Sequence, residues 1–228
     1  MSGMRSAWRD HGLSVFFGSI FVLALAGQSV AGLLVYNEEQ VTHGGEPVSW
    51  GSFVTSSAFV VDVAENWQSE YLQFFLFIFA TIWLVQKGSP ESKKPGDEGL
   101  DSDENQLVGR FAKKDSPGWA KSGGWRQVLY SNSLLLVMGA VFGMSWLIQS
   151  VAGTVVYNDD QAQHGEETVS WLGYVATPDF WNRTLQNWQS EFLAVGTMVA
   201  FSIYLRQRGS SESKPVGTPH DESSTESE

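Results

Sequence analysis

Apolar residues fall into four blocks along the chain: Leu13–Tyr36, Tyr71–Val85, Leu134–Tyr157 and Phe192–Leu205. Charged residues collect between and after them. The first and third blocks are long enough to cross a bilayer, which takes about 20 mostly apolar residues. The second and fourth, at about 15 residues, fall short of that length, so the residues before them decide the reading. Thr177-Pro178-Asp179 forms a helix start: a capping hydroxyl, a proline at the first helical position and an acid at the positive end of the dipole. Arg206 and Arg208 followed by Gly209 form a stop. A helix over 178–208 would be about 46 Å long, more than a hydrocarbon core of about 30 Å. Residues 57–87 can do the same. The pattern therefore predicts an all-α membrane protein with four transmembrane helices, over about 13–36, 57–87, 131–157 and 178–208, and with interfacial helical segments in the outer loops. The second and fourth blocks are the inner parts of longer amphipathic helices.

Shifting the chain against itself by 121 positions superposes one half on the other without a gap from Gln28 to Lys93. Gln28-Ser29-Val30-Ala31-Gly32 falls on Gln149-Ser150-Val151-Ala152-Gly153, Tyr36-Asn37 on Tyr157-Asn158, and Val48-Ser49-Trp50 on Val169-Ser170-Trp171. Asn66-Trp67-Gln68-Ser69-Glu70 falls on Asn187-Trp188-Gln189-Ser190-Glu191, and Gly88-Ser89-x-Glu91-Ser92-Lys93 on Gly209-Ser210-x-Glu212-Ser213-Lys214. A repeat of this kind is a structural unit written twice. Each unit holds two spans, so both enter from the same side and are related by a pseudo-twofold along the membrane normal. The expected domains are unit 1 at 1–94, a cytoplasmic disordered linker at 95–124, unit 2 at 125–208 and a disordered acidic tail at 209–228. The Ser, Lys, Asp, Glu, Gly and Pro of the linker, a composition that starts at Gly88, motivate the disorder.

Charge sets the orientation. Of 14 Lys and Arg, 13 lie before the first block, in the linker or after the fourth block, and only Arg183 lies in an outer segment. The excess of basic residues on one side places the termini and linker in the cytoplasm and the acidic loops 37–56 and 158–177 outside. Arg5, Arg9 and Ala24-Leu25-Ala26 resemble a signal peptide with cleavage before Gly27. The apolar run continues to Val35, and an internal block matches it, so the segment reads as a retained span. The chain has no Cys and a net charge of -11. This removes thiolate chemistry and disfavours nucleic acid as a partner. Lys113-Lys114 suits a membrane surface instead.

Counting along the helices brings Gln28 and Ser29 near Glu70, and Gln149 and Ser150 near Glu191, with Asn66 and Asn187 one turn further out. An acid in hydrocarbon faces the bundle interior. Gln and Ser can hydrogen-bond it, giving an interhelical polar clasp, or alternatively a proton or cation site. Trp67 and Trp188 read as interfacial anchors. Ser14/Gly18 and Gly139/Gly143 have the spacing of close helix packing. In the outer loops His43 with Glu46, and His164 with Glu167, offer metal-ligand chemistry, against the plainer reading of a solvated acidic loop. Asn182-Arg183-Thr184 matches a glycosylation sequon. No catalytic set and no cofactor motif is present.

The stretches VYNEEQ, NWQSEYLQ, NWQSEF and QRGSSESKPV resemble a family of bacterial multi-pass membrane proteins known as a domain of unknown function. The resemblance implies a bacterial inner-membrane protein and no particular activity. The expectation is a non-enzymatic protein that binds or scaffolds a partner, with the bilayer, a second copy or another membrane protein as the neighbours. The alternatives are a small permease or ion conduit using Glu70 and Glu191, and a metal-dependent membrane enzyme at His43 and His164.

Overall fold

The computed structural model describes residues 2–223, with side chains from residue 10. The last five residues of the acidic tail lie outside the described residues. The architecture is helical, and among the described residues no strand forms. The helices are α1 (Ser2–Thr42), α2 (Trp50–Val54), α3 (Ser57–Trp83), α4 (Gly118–Lys121), α5 (Trp125–Ser131), α6 (Ser133–Gln163), α7 (Trp171–Val175) and α8 (Pro178–Phe201). Two segments are long and apolar enough to cross a membrane, Asp10–Thr42 of α1 and Ser133–Gln163, which is α6. Non-helical backbone at His11 separates the first of these from the preceding turns.

Both helices outrun the apolar blocks. The acidic stretches after Tyr36 and Tyr157, expected as loop, form their last turns. Each then ends in a turn at His43-Gly44 or His164-Gly165, where the glycines take positive φ. The remaining loop is tied back to its own helix. Asn37 Oδ1 accepts from Val48 N at 2.7 Å while Asn37 Nδ2 donates to Val48 O at 3.1 Å. Asn158 makes the same pair with Val169, at 2.8 and 2.9 Å. One amide side chain thus satisfies both backbone groups of a residue eleven positions on, which a loop leaving a helix otherwise leaves to water.

The brace sets up the next elements. Ser49 and Ser170 cap α2 and α7 through the amides of Ser52 and Gly173. Trp50 Nε1 then donates to Ser29 Oγ at 3.1 Å, and Trp171 Nε1 to Ser150 Oγ at 2.9 Å. Phe53 and Tyr174 are buried on Gly32 and Gly153, where an added Cβ would come within 2.9 Å of the Phe53 ring and 2.7 Å of the Tyr174 hydroxyl. Ser56 and Thr177 cap α3 and α8. The expected start of the second helix in each unit, at 57 and 178, is therefore met.

The expected ends are not. α3 stops at Trp83 rather than 87, and α8 at Phe201 rather than 208. The Gly-Ser-x-Glu-Ser-Lys motif takes the backbone groups that a longer helix would need. Ser92 Oγ accepts from Gln86 N at 2.7 Å, and Ser213 Oγ from Gln207 N at 2.9 Å. Ser89 and Ser210 accept from the amides of Glu91 and Glu212. Gly99 N donates to Ile82 O, and Arg206 spends its guanidinium on the carbonyls of Ser202, Ile203 and Leu205. The lysines close each turn: Lys93 Nζ donates to Gly99 O, and buried Lys214 Nζ to the carbonyls of Pro219, His220 and Glu222. The linker and tail, expected to lack structure, form these turns together with a 3-10 turn at Gly109–Phe111 and the short α4. The two ends also meet, with Gly88 N donating to Ser223 Oγ at 3.0 Å.

The core lies where α3 packs along α6 and, less extensively, along α8. Gly139 lets the Phe75 ring come close, at 3.0 Å from an added Cβ, whereas Gly143 faces open space. α1 makes its main helix contact with α2 and exposes Leu13, Phe16, Phe17, Val22 and Leu23.

Asn37→Ala and Asn158→Ala should each destabilise the protein by about 1–3 kcal/mol, the cost of leaving backbone groups unpaired. Thermal unfolding of the detergent-solubilised protein measures this. Asn→Asp at either site, which keeps the acceptor and loses the donor, should cost less than Ala.

Candidate functional site: the polar contacts of the second helix in each unit

The five residues of each Asn-Trp-Gln-Ser-Glu stretch occupy α3 and α8, but their environments differ. Gln68 and Gln149 are fully buried, while their counterparts at 189 and 28 are exposed. Gln68 Oε1 accepts from Trp188 Nε1 at 2.7 Å, so one stretch is bonded directly to the other. Gln149 Nε2 lies 3.4 Å from Thr184 Oγ1. Trp146 stacks beside Phe142 and Phe180 and touches Trp181 and Trp188. Gln68 Nε2, Gln149 Oε1 and Trp146 Nε1 are buried without a hydrogen-bond partner in this aromatic core.

The sequence-predicted polar residues divide accordingly. Gln28, Asn66, Trp67 and Glu70 line one groove between α1 and α3. Ser29 and Ser150 do not serve the carboxylates as expected. Each donates to a carbonyl three residues back, of Ala26 or Leu147, and accepts from Trp50 or Trp171. A hydroxyl on a helix reaches its own preceding turn more readily than a neighbouring helix. Asn66 and Asn187 likewise donate to Asp62 O and Arg183 O, one turn back. Trp188 is turned into the core by Gln68, and Trp67 stays more exposed, with its ring 6.2 Å from Phe21.

Sequence reasoning missed the ion pairs of Arg183. Its guanidinium reaches Glu65 at 3.3 Å and Asp62 at 3.9 Å, bridging α8 to α3. Asp62 and Arg183 are themselves counterparts in the repeat, so the opposite charges were a readable signal. Two more counterpart pairs act on one another electrostatically, Glu70 with Glu191 and Glu91 with Glu212. Burial first, and then Glu212, raise the Glu91 carboxyl above its ordinary range.

The outer histidines are engaged locally. His43 Nδ1 donates to Glu39 O at 2.8 Å and His164 Nδ1 to Asp160 O at 2.9 Å. Glu46 and Glu167 are exposed, and among the described residues no three His, Asp or Glu side chains group as metal ligands. Beneath the second loop, burial raises the Tyr174 phenol well above its usual value, and the Asp179 carboxylate raises it further. It stays protonated and donates to Asp179 Oδ2 at 3.3 Å.

These features define an all-helical protein with two helices suited to crossing a membrane and a polar, aromatic core where α3, α6 and α8 meet. Across residues 4–225 the chain matches the family described as domain of unknown function DUF6766, and it belongs to that family. Comparison with curated proteins and with solved structures gives no match.

Gln68→Leu removes the acceptor for the Trp188 indole and should cost about 1–3 kcal/mol. Gln189→Leu, at the exposed counterpart, should stay within about 0.5 kcal/mol of wild type. Denaturation followed by tryptophan fluorescence compares the two, and only Gln68→Leu should also shift the emission maximum.

Proposed function

We propose that the chain is a four-span protein of the bacterial inner membrane, made of two parallel two-helix units, that binds or scaffolds a membrane partner without catalysing a reaction. The observation that carries the architecture is the meeting of counterparts. Asp62 pairs with its own repeat equivalent Arg183 at 3.9 Å, and Gln68 of one Asn-Trp-Gln-Ser-Glu stretch bonds Trp188 of the other at 2.7 Å. Two copies of a unit arranged about a common axis bring such positions together. α3 and α8, at 27 and 24 residues, rise about 40 and 36 Å, enough for a span. The copies are unequal, since α3 packs on α6 while α1 lacks the matching contact with α8.

The scaffold reading rests on how the polar groups are used. Ser29, Ser150, Asn37, Asn158, Gln68 and Arg183 all hold one element to another. The apolar side chains of α1 and α6 face outward, suited to lipid and to another membrane protein. The acids Glu70 and Glu191, carried by the packed helices α3 and α8, favour a second reading, a proton or cation conduit. Flux of reconstituted protein that is lost in the Glu70→Gln, Glu191→Gln double variant would establish the conduit and displace the scaffold.

The natural chain has no Cys, so single cysteines report topology cleanly. Cysteines replacing Gly45 and Gly165 should react with a membrane-impermeant maleimide in intact cells, and one replacing Asn105 only after lysis. Labelling of Asn105 in intact cells would reject the orientation. Native mass spectrometry from detergent should show a dimer or a bound membrane protein, and a bare monomer throughout would reject the scaffold.

A further inference from the structure

The two units differ where Trp146 sits. Its indole lies 5.6–6.2 Å, centroid to centroid, from Phe142, Phe180, Trp181 and Trp188. It fills space between α6 and α8. Its repeat counterpart in α1 is Leu25, a smaller side chain without a ring. Thr184, which faces Gln149, has Val63 as its counterpart. In the first unit the corresponding space is an open groove of about 330 Å³. Small-molecule sites span roughly 300–1,000 Å³, so the groove is at the small end of that range.

Phe21, Leu25, Val63 and Trp67 supply the apolar walls, and Gln28 and Glu70 the polar groups. Gln28 and Glu70 are exposed, unlike buried Gln149. Asn66 donates one amide hydrogen to Asp62 O. Glu191 adds a second negative charge near Glu70, and no Lys or Arg lines the groove. Charge therefore favours a cation at this end, and an aromatic wall such as Trp67 attracts one too.

We propose that this groove binds an amphipathic amine, with a ring-sized apolar body lying beside Leu25 where the other unit places the Trp146 indole, and the ammonium directed to Glu70. The proposal deepens the partner-binding reading by naming a ligand class, and it rests on the membrane setting of that reading. The second unit supplies the argument for the occupant's shape, and the carboxylates supply the argument for its charge.

Tryptamine, an indole carrying an ammonium, is the probe. The full chain in dioleoylphosphatidylcholine nanodiscs, with its tryptophan indoles labelled with nitrogen-15, is titrated while the Trp67 indole resonance is followed, assigned through Trp67→Phe. A saturable one-site shift is expected. Leu25→Trp, which rebuilds the plug of the second unit, should abolish it. Glu70→Gln should weaken it about tenfold, the loss of a charge-assisted contact. Indole-3-propionate, with the same ring and opposite charge, should not compete. A shift in Leu25→Trp equal to wild type, or a non-saturating shift shared by all variants, would mean partition into lipid and overturn the site. Equal binding of indole-3-propionate, or unchanged affinity in Glu70→Gln, would overturn its charge selectivity. Glu70→Gln is nearly isosteric, so it keeps the test decisive if the tryptophan variant misfolds. Cysteine labelling that upholds the topology while tryptamine fails removes the groove alone.

Discussion

A single asparagine in each unit holds the chain that follows the first long helix against that helix. By bonding both backbone groups of Val48 or Val169, Asn37 and Asn158 turn the chain back over the helix it has just left. Everything beyond depends on that return. The tryptophan that follows reaches a serine two turns below the asparagine, the next aromatic ring lands on a glycine, and the second long helix starts from a fixed point. Without the brace, a glycine-containing loop beside the acidic last turns of α1 or α6 would have little to hold it to the helix.

Much of this was legible in the sequence, because the repeat marks the same residues twice. Gln28 to Gly32, Tyr36-Asn37 and Val48-Ser49-Trp50 return 121 positions later, and they are the partners that meet in the folded loop. The helix starts were legible too, since Thr177-Pro178-Asp179 carries its own stereochemical logic. The helix ends were harder to read. Arg206 and Arg208 looked like cations completing a last helical turn, but Arg206 bonds carbonyls as the helix breaks up, and serines further on compete for the amides. Such competition depends on a turn that forms only when residues six apart come together, and local propensity carries no sign of it.

The interior of the candidate site was legible in part. The repeat singled out Gln68 and Glu70, but identical letters do not give identical surroundings. Gln68 is buried because α6 packs over it, while the equivalent Gln189 has no such cover. The differences between the units were as informative as the identities. Asp62 opposite Arg183 turns what would be repulsion between like residues into an ion pair. Leu25 opposite Trp146 separates an open groove from a filled core. A repeated sequence starts as two equal halves, and substitution at positions such as 25 and 62 lets the halves differ.

The hydrogen bond from Gly88 to Ser223 has a consequence for biogenesis. During synthesis the first unit emerges and can begin to fold long before the last residues leave the ribosome. Its turn at Gly88, however, takes its partner from a residue 135 positions later, so that junction closes only after that residue has been made. Until then the first half holds its braced loop while its Gly-Ser-x-Glu-Ser-Lys turn stays unsealed.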